Sequence, residues 1–162
     1  MYKVAVITLS DKGHRGERED RSGPEIRRIV EAHGYEVVYT AILPDDRAVL
    51  RDTLTRLADD RVAQLILTTG GTGFSPRDTT PEATLDVAER LCPGIPEAMR
   101  ALSMAVTPKA MLTRSVAVLR GESLIINLPG SVKAVKECLE GIIGPLAHGL
   151  DVLTGNSGDC GR

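Results

Sequence analysis

The residues from Val4 to Leu9, VAVITL, are apolar and largely β-branched with hardly a polar interruption. A strand with one face in water alternates apolar and polar side chains. An unbroken run of this kind therefore belongs to a strand covered on both faces. A second run, VAQLILTT at 62–69, is similarly hydrophobic, and EVVYTAIL at 36–43 reads as a strand between them. The intervening segments change period. Ile26, Ile29 and Val30 fall at helical spacing, and Leu50, Leu54 and Leu57 mark a second apolar stripe. Strands that alternate with helices in this way form a parallel sheet with helices packed on both faces.

Element ends follow from capping chemistry. Gly34 closes the first helix, and the second starts near Asp45–Asp46. Thr80 as N-cap and Pro81 at the first helical position open a third helix, whose inner face is Val87, Ala88 and Leu91. From Pro96 a further helix carries Met99, Leu102 and Val106. SVAVL and SLIINL flank Arg120-Gly121-Glu122 as a hairpin, so one of these two strands runs against the others. Val135, Leu139, Ile142, Ile143, Leu146 and Leu150 line one face of a final helix, which Gly144-Pro145 should kink or interrupt. The reading is a single domain over residues 1–154, with a small polar tail at 155–162 that is expected to be flexible.

A chain of 162 residues, 42% hydrophobic, holds enough apolar material for one core without a disulfide or metal staple. A formal charge of −2 and an aromatic content of 2% argue against a nucleic-acid partner, because base stacking needs aromatic faces. Cys92, Cys138 and Cys160 are far apart and form no C-x-x-C, so neither a zinc knuckle nor a thioredoxin-type site is indicated. An odd, scattered set fits a reducing compartment. The apolar run at 4–9 is too short for a signal segment or a membrane span. The expectation is a soluble, cytoplasmic protein without a membrane partner.

LTTGGTGFSPRDTTPEAT, residues 67–84, joins the third strand to the third helix. In open α/β sheets ligands bind beyond the carboxyl ends of the strands. Glycines there let the backbone approach a ligand and turn its N–H groups toward an anion, and the next helix N-terminus adds partial positive charge. Two familiar phosphate loops do not match. No lysine follows as a P-loop requires, and Pro76 stands where a dinucleotide fingerprint has its third glycine. A glycine-rich surface turn accounts for the glycines, but less well for the polar set TGFSPRDTTPE behind them.

Asp78 fits two roles, an accessory cap paired with Arg77 or a carboxylate that holds Mg²⁺ against substrate phosphates. Asp45, in LPDDR, fits a helix cap shared with Asp46 or a second carboxylate at the same sheet edge. Asn127 to Lys133 form a turn at Pro129-Gly130 with Ser131 as cap, or an anion pocket of backbone N–H groups, the Ser131 hydroxyl and Lys133. SDKGHRGERED after the first strand is a solvated loop, or through His14 and Arg15 a cover for a phosphate. Three histidines without i, i+4 partners do not make a metal site. These loops and Asp45 converge on one edge, which favours a site over separate coincidences.

TTGGTGFSPRDTTPEAT closely resembles the signature of the MoaB/MogA family of molybdopterin-binding proteins, which also occurs in gephyrin-like G domains. SDK, PDD and NLPGSVKAVKECL resemble the other family blocks in the same order, from Lys3 to about Leu153. The resemblance implies a three-layer α/β/α sandwich with a mostly parallel sheet and one antiparallel strand, assembled as a homotrimer or a hexamer. It implies molybdopterin binding and, in catalytic members, adenylylation with MgATP. The terminal phosphate of molybdopterin attacks the α-phosphate of ATP, pyrophosphate leaves, and the product is handed to a molybdenum-insertion protein.

By position in these motifs Asp78 and Asp45 correspond to the family's essential carboxylates, with catalytic and Mg²⁺-binding roles. Gly70, Gly71, Thr72 and Gly73 correspond to the phosphate or pterin cradle, and Ser10, Asp11, Pro129, Gly130 and Ser131 complete the pocket. Two alternatives keep the fold, a non-catalytic pterin carrier and a trimeric scaffold. Retention of both aspartates favours the enzyme, because binding an anionic pterin gains nothing from two bare carboxylates.

Overall fold

The apolar run at the N-terminus becomes β1 (Lys3–Leu9), in which every residue after Lys3 is buried. The computed structural model describes residues 1–156. After β1 come α1 (Asp11–His14), α2 (Ser22–Ala32), β2 (Glu36–Leu43), α3 (Arg47–Asp59) and β3 (Leu65–Thr69). They are followed by α4 (Thr80–Asp86), β4 (Arg90–Leu91), α5 (Gly94–Met104) and a 3₁₀ turn at Pro108–Leu112. A hairpin of β5 (Ala117–Arg120) and β6 (Ser123–Leu128) leads into α6 (Val132–Leu153).

The strands lie in the order β2-β1-β3-β6-β5-β4. β2, β1, β3 and β6 are mutually parallel, and β5 runs antiparallel to both neighbours. Strand alternation then sorts the core into two layers. Val4, Val6, Leu65, Leu67, Ile126 and Leu128 face α2, α5 and α6. Ala5, Ile7, Leu9, Ile66, Ile125 and Val118 face α3 and α4. The result is the α/β/α sandwich expected, and its central strands are the ones whose sequences lack alternation. Burying each leucine or isoleucine fully contributes about 1.5–3 kcal/mol.

Several element ends differ from the sequence expectation. β3 is shorter than VAQLILTT, because a turn with Arg61 at φ 52° still occupies the approach to it. Thr80 is the first residue of α4 rather than its N-cap, and the capping position, Thr79, makes no side-chain cap bond. α4 stops at Asp86, so Leu91 sits on β4 and is 65% exposed instead of lining an inner helix face. α5 buries Met99 but exposes Leu102, and Val106 lies beyond its end and is exposed. α6 runs unbroken through Pro145. The residue whose carbonyl the proline ring approaches is Gly141, where an added Cβ would collide with Leu102. Cys92 lies between β4 and α5, not in a helix, and Cys138 is buried in α6. Cys160 and the tail from residue 157 onward, including most of the segment expected to be flexible, lie outside the described residues.

One polar residue interrupts the buried run of β6. Asn127 is fully buried and pairs in register with Thr68. Its amide donates to Thr68 Oγ1 at 3.0 Å and Thr84 Oγ1 at 2.9 Å, and its Oδ1 accepts from the N–H of Val116 at 3.2 Å. It thus ties β3, α4 and the start of β5 to β6 beneath the glycine loop. Asn127→Ala would open a void and strand the Val116 N–H, and buried orphan groups cost about 1–3 kcal/mol each. Urea unfolding should report a loss of about 2–4 kcal/mol. A loss below about 1 kcal/mol would show that the network is not structural.

Candidate functional site

The four parallel strands end on one edge, and the loops that leave them enclose a cleft of about 630 Å³. Ser10 follows β1, Asp45 follows β2, Gly70 and Gly71 follow β3, and Gly130 and Ser131 follow β6. All six line this cleft together with Asp78. The crowding of these loops dictates the glycines. Gly70 has φ +93°, and a Cβ there would stand 2.5 Å from the carbonyl oxygen of Leu9. Gly71 has φ +68°, and a Cβ there would collide with Thr80 Oγ1 and approach Asp45 Oδ1 at 3.3 Å. A side chain at either position meets both backbone strain and a blocked space.

The tandem aspartates after β2 divide their work. Asp46 caps α3, accepting from the N–H of Val49 at 3.0 Å. Asp45 is thereby left to face the cleft. It exchanges two bonds with Asp11, its N–H donating to Asp11 Oδ1 at 3.0 Å and its Oδ2 accepting from the N–H of Asp11 at 3.1 Å. Arg77 does not pair with Asp78. Its guanidinium forks onto the Asp11 carboxylate at 2.8 and 2.9 Å, which holds Asp11 below the usual carboxylate range. Asp45 shows the opposite shift. Burial first, then the charges of Asp11 and Asp78, push its pKa up against the hydrogen bond from Asp11. Asp78 accepts from the N–H of Ser75 at 3.0 Å and lies beside Gly73.

Asp11, Thr72, Gly73 and Pro129, also expected in the pocket, do not line the cleft. Asp11 anchors Asp45 and Arg77 as described. Thr72 is buried and its carbonyl accepts from the N–H of Arg114 at 2.8 Å, while the carbonyl of Gly73 accepts from Arg114 Nε at 2.8 Å. The carbonyl of Pro129 accepts from Thr69 Oγ1 at 2.7 Å, and the residue borders an apolar hollow beside α5 instead. Ser131 both borders the cleft and caps α6 through the N–H of Ala134. His14 Nδ1 lies 3.1 Å from the carbonyl oxygen of Ile42, Arg15 pairs with Glu17, and Lys133 lies 3.9 Å from Glu137. None of these three lines the cleft.

The structure adds residues that the sequence reading passed over. Arg18, Asp20, Arg21 and Ser22 form the far end of the cleft. Asp20 accepts from Thr8 Oγ1 at 2.8 Å and from the N–H of Gly23 at 3.0 Å, so it closes the N-terminus of α2 against β1. An aspartate placed shortly before Ser-Gly-Pro is a helix-start signal that could have singled it out.

Among the described residues no group of three or more His, Cys, Asp or Glu could hold a metal ion. That pattern excludes a closed all-protein metal cage there. It suits Mg²⁺, which takes one or two carboxylates and completes its shell with phosphate oxygens and water. Asp45 and Asp78 line the same cleft, the charge of Asp78 helps to push Asp45 upward, and Asp45 has no cationic side chain bonded to it. Two carboxylates are a donor number that Mg²⁺ uses. Among the described residues no helix is long and apolar enough to cross a membrane.

Comparison with known proteins agrees with this geometry. The family described as "Probable molybdopterin binding domain" matches residues 5–148. A molybdopterin adenylyltransferase of Haemophilus influenzae is 43% identical over 144 residues, covering 88% of this chain and 73% of the relative. The crystal structure of the molybdopterin biosynthesis enzyme MoaB of Thermus thermophilus superposes with a TM-score of 0.90 at 44% identity, covering 96% of this chain and 98% of the other. The tungsten cofactor synthesizing protein MoaB of Pyrococcus furiosus gives 0.82 at 38% identity, with 94% and 96% covered. The family match over residues 5–148, the identity to these relatives and the shared fold establish that the chain belongs to the MoaB/MogA family of molybdopterin-binding domains.

Proposed function

We propose that this protein is a molybdopterin adenylyltransferase of molybdenum cofactor biosynthesis. The observation that carries the reading is the pair of cleft carboxylates, Asp45 and Asp78, set against Gly71 and Gly73. The relative from Haemophilus influenzae, which carries that enzyme name, supports it at 43% identity. In the reaction an oxygen of the molybdopterin phosphate attacks the α-phosphorus of ATP. A new P–O–P bond forms as the bond to the β-phosphate oxygen breaks, and pyrophosphate departs with the electron pair. The attacking oxygen is already anionic, so no activated serine or cysteine is required.

Such transfers depend on positioning and charge stabilisation. Asp45 and Asp78 would hold Mg²⁺, which when bound supplies countercharge to the phosphates. Gly70, Gly71 and Gly130 admit the phosphates close to the backbone, and Ser10 and Ser131 offer hydroxyls at the rim. Asp11 and Arg77 position Asp45 from behind. A pure carrier would gain nothing from two carboxylates set against an anionic pterin, so the enzyme reading is preferred over the carrier. A homotrimer or hexamer belongs to the same proposal, supported by exposed Leu102, Val106, Met111 and Leu112 on and after α5. A cytoplasmic setting is supported by the free thiols of Cys92 and Cys138, and the product would pass to a metal-insertion protein.

Pyrophosphate release on mixing the protein with MgATP and molybdopterin tests the reading. The wild type should release pyrophosphate in step with adenylylated pterin. Asp45→Ala and Asp78→Ala should each lose about 10²-fold or more while keeping their thermal melting points. Undiminished release from both would remove the carboxylates from the mechanism, and tight pterin binding without any release would establish the carrier. Gly70→Ala should cost about 1–3 kcal/mol of stability and also slow release, whereas Gly94→Ala, which has open space around it, should change neither. Equal behaviour of the two glycine variants would contradict the close approach at Gly70.

A further inference from the structure

The stretch between Thr72 and Thr80 carries Asp78 but contains no buried residue. Phe74, its one large apolar side chain, is 71% exposed. Apolar packing therefore does not fix this loop, although Asp78 must stand in one place to share a cation with Asp45. The fixing is polar: the Arg77 fork onto Asp11 ties the middle of the loop, and bonds at its start and its end converge on Arg114. Its Nε donates to the carbonyl of Gly73 at 2.8 Å and its Nη2 to the carbonyl of Asp78 at 2.7 Å. Its Nη1 pairs with Glu82 on the first turn of α4, and its own N–H donates to the carbonyl of Thr72 at 2.8 Å. One guanidinium thus joins the start of the loop, its end and the helix that follows.

Arg114 is itself held. Arg100 on α5 donates from Nη1 to the carbonyls of Thr113 and Ser115, the residues on either side of Arg114, at 3.3 and 3.2 Å. Val116 is fastened to Asn127 of β6 through its N–H and its carbonyl. The donor therefore sits on a backbone tied to both α5 and the central sheet. A planar guanidinium can serve three acceptors in fixed directions, whereas an ammonium on a flexible stem cannot reproduce that fork. An exposed ion pair alone would matter little. Here the two carbonyl bonds flank the loop that carries Asp78, and the second oxygen of Glu82 is buried without a partner, so the guanidinium cannot leave cheaply.

We propose that Arg114 is the positioning residue of the site, clamping the 73–78 loop so that Asp78 is pre-set opposite Asp45. The inference rests on the adenylyltransferase reading for its kinetic consequence and on the loop geometry alone for its structural one. Arg114 touches no reacting atom. Its loss should therefore loosen Asp78 and weaken metal use, with little effect on nucleotide contacts elsewhere in the cleft.

The test is Arg114→Lys, which keeps a positive charge for Glu82, beside Arg47→Lys, which alters an exposed fork to Asp86 on the same helix α4. Hydrogen exchange of the Ser75, Asp78 and Thr80 amides is measured without ligands. Mn²⁺ affinity is measured with a non-hydrolysable ATP analogue, and kcat and KM for ATP are measured with molybdopterin. In Arg114→Lys the loop amides should exchange about 10-fold faster with an unchanged melting point. Mn²⁺ affinity should fall about 10-fold, and kcat should fall about 10–100-fold with KM for ATP within about threefold. Arg47→Lys should match the wild type in all three. Wild-type loop exchange in Arg114→Lys would overturn the clamp, as would global unfolding of that variant. A wild type that releases no pyrophosphate would sink the adenylyltransferase reading while exchange and metal affinity still decide the clamp.

Discussion

Burial of β1, β3 and β6 on both faces is the constraint from which the site follows. Helices must cover both sides of such strands, so each chain segment leaves the sheet at a strand end and returns over a face. The carboxyl ends of β1, β2, β3 and β6 consequently open on one edge, and their loops are pressed together there. At Gly70 the pressure is visible as a backbone passing within contact of the Leu9 carbonyl, a place where a Cβ has no room. The same crowding leaves no room for a side chain at Gly70 or Gly71, where the backbone lines the cleft bare.

Charge is distributed across this edge unevenly. Asp11 is neutralised by the Arg77 fork and Asp46 is spent on capping α3. Asp45 and Asp78 remain, with Asp45 pushed upward by burial and by its acidic neighbours. The charge of Asp78 is one of the causes that raise Asp45, and a bound cation would relieve it. In the proposed reaction a cation and the triphosphate would satisfy one another as well as the protein, which would couple metal and nucleotide binding. The polar supports behind the wall, Asn127 under the glycine loop and Arg114 at its flank, hold that unfavourable arrangement in place.

Much of this was legible in the chain. β2 coincides with EVVYTAIL, the hairpin falls at Gly121-Glu122, and every residue named for the inner face of α6 is buried, because these signals are periodic and local. The sheet edge that gathers Ser10, Asp45, Gly70, Gly71, Asp78, Gly130 and Ser131 was equally readable, since parallel order fixes which loops meet. What failed depends on tertiary contact. Leu91 looked like a helix residue until β4 paired it with Val118, and Pro145 looked like a break although α6 absorbs it. Arg77 was read against its sequence neighbour Asp78, yet its partner Asp11 is distant in the chain. Arg114 carries no local signal strong enough to single it out, because its partners come from other elements.

In the proposed reaction Asp45 and Asp78 would jointly hold the metal that binds the nucleotide phosphates. Anomalous diffraction from crystals grown with Mn²⁺ and a non-hydrolysable ATP analogue tests it most directly. One strong Mn²⁺ peak within reach of both carboxylates and of phosphate oxygens in the cleft is expected. A metal bound to the phosphates alone, with Asp45 and Asp78 uninvolved, would contradict it.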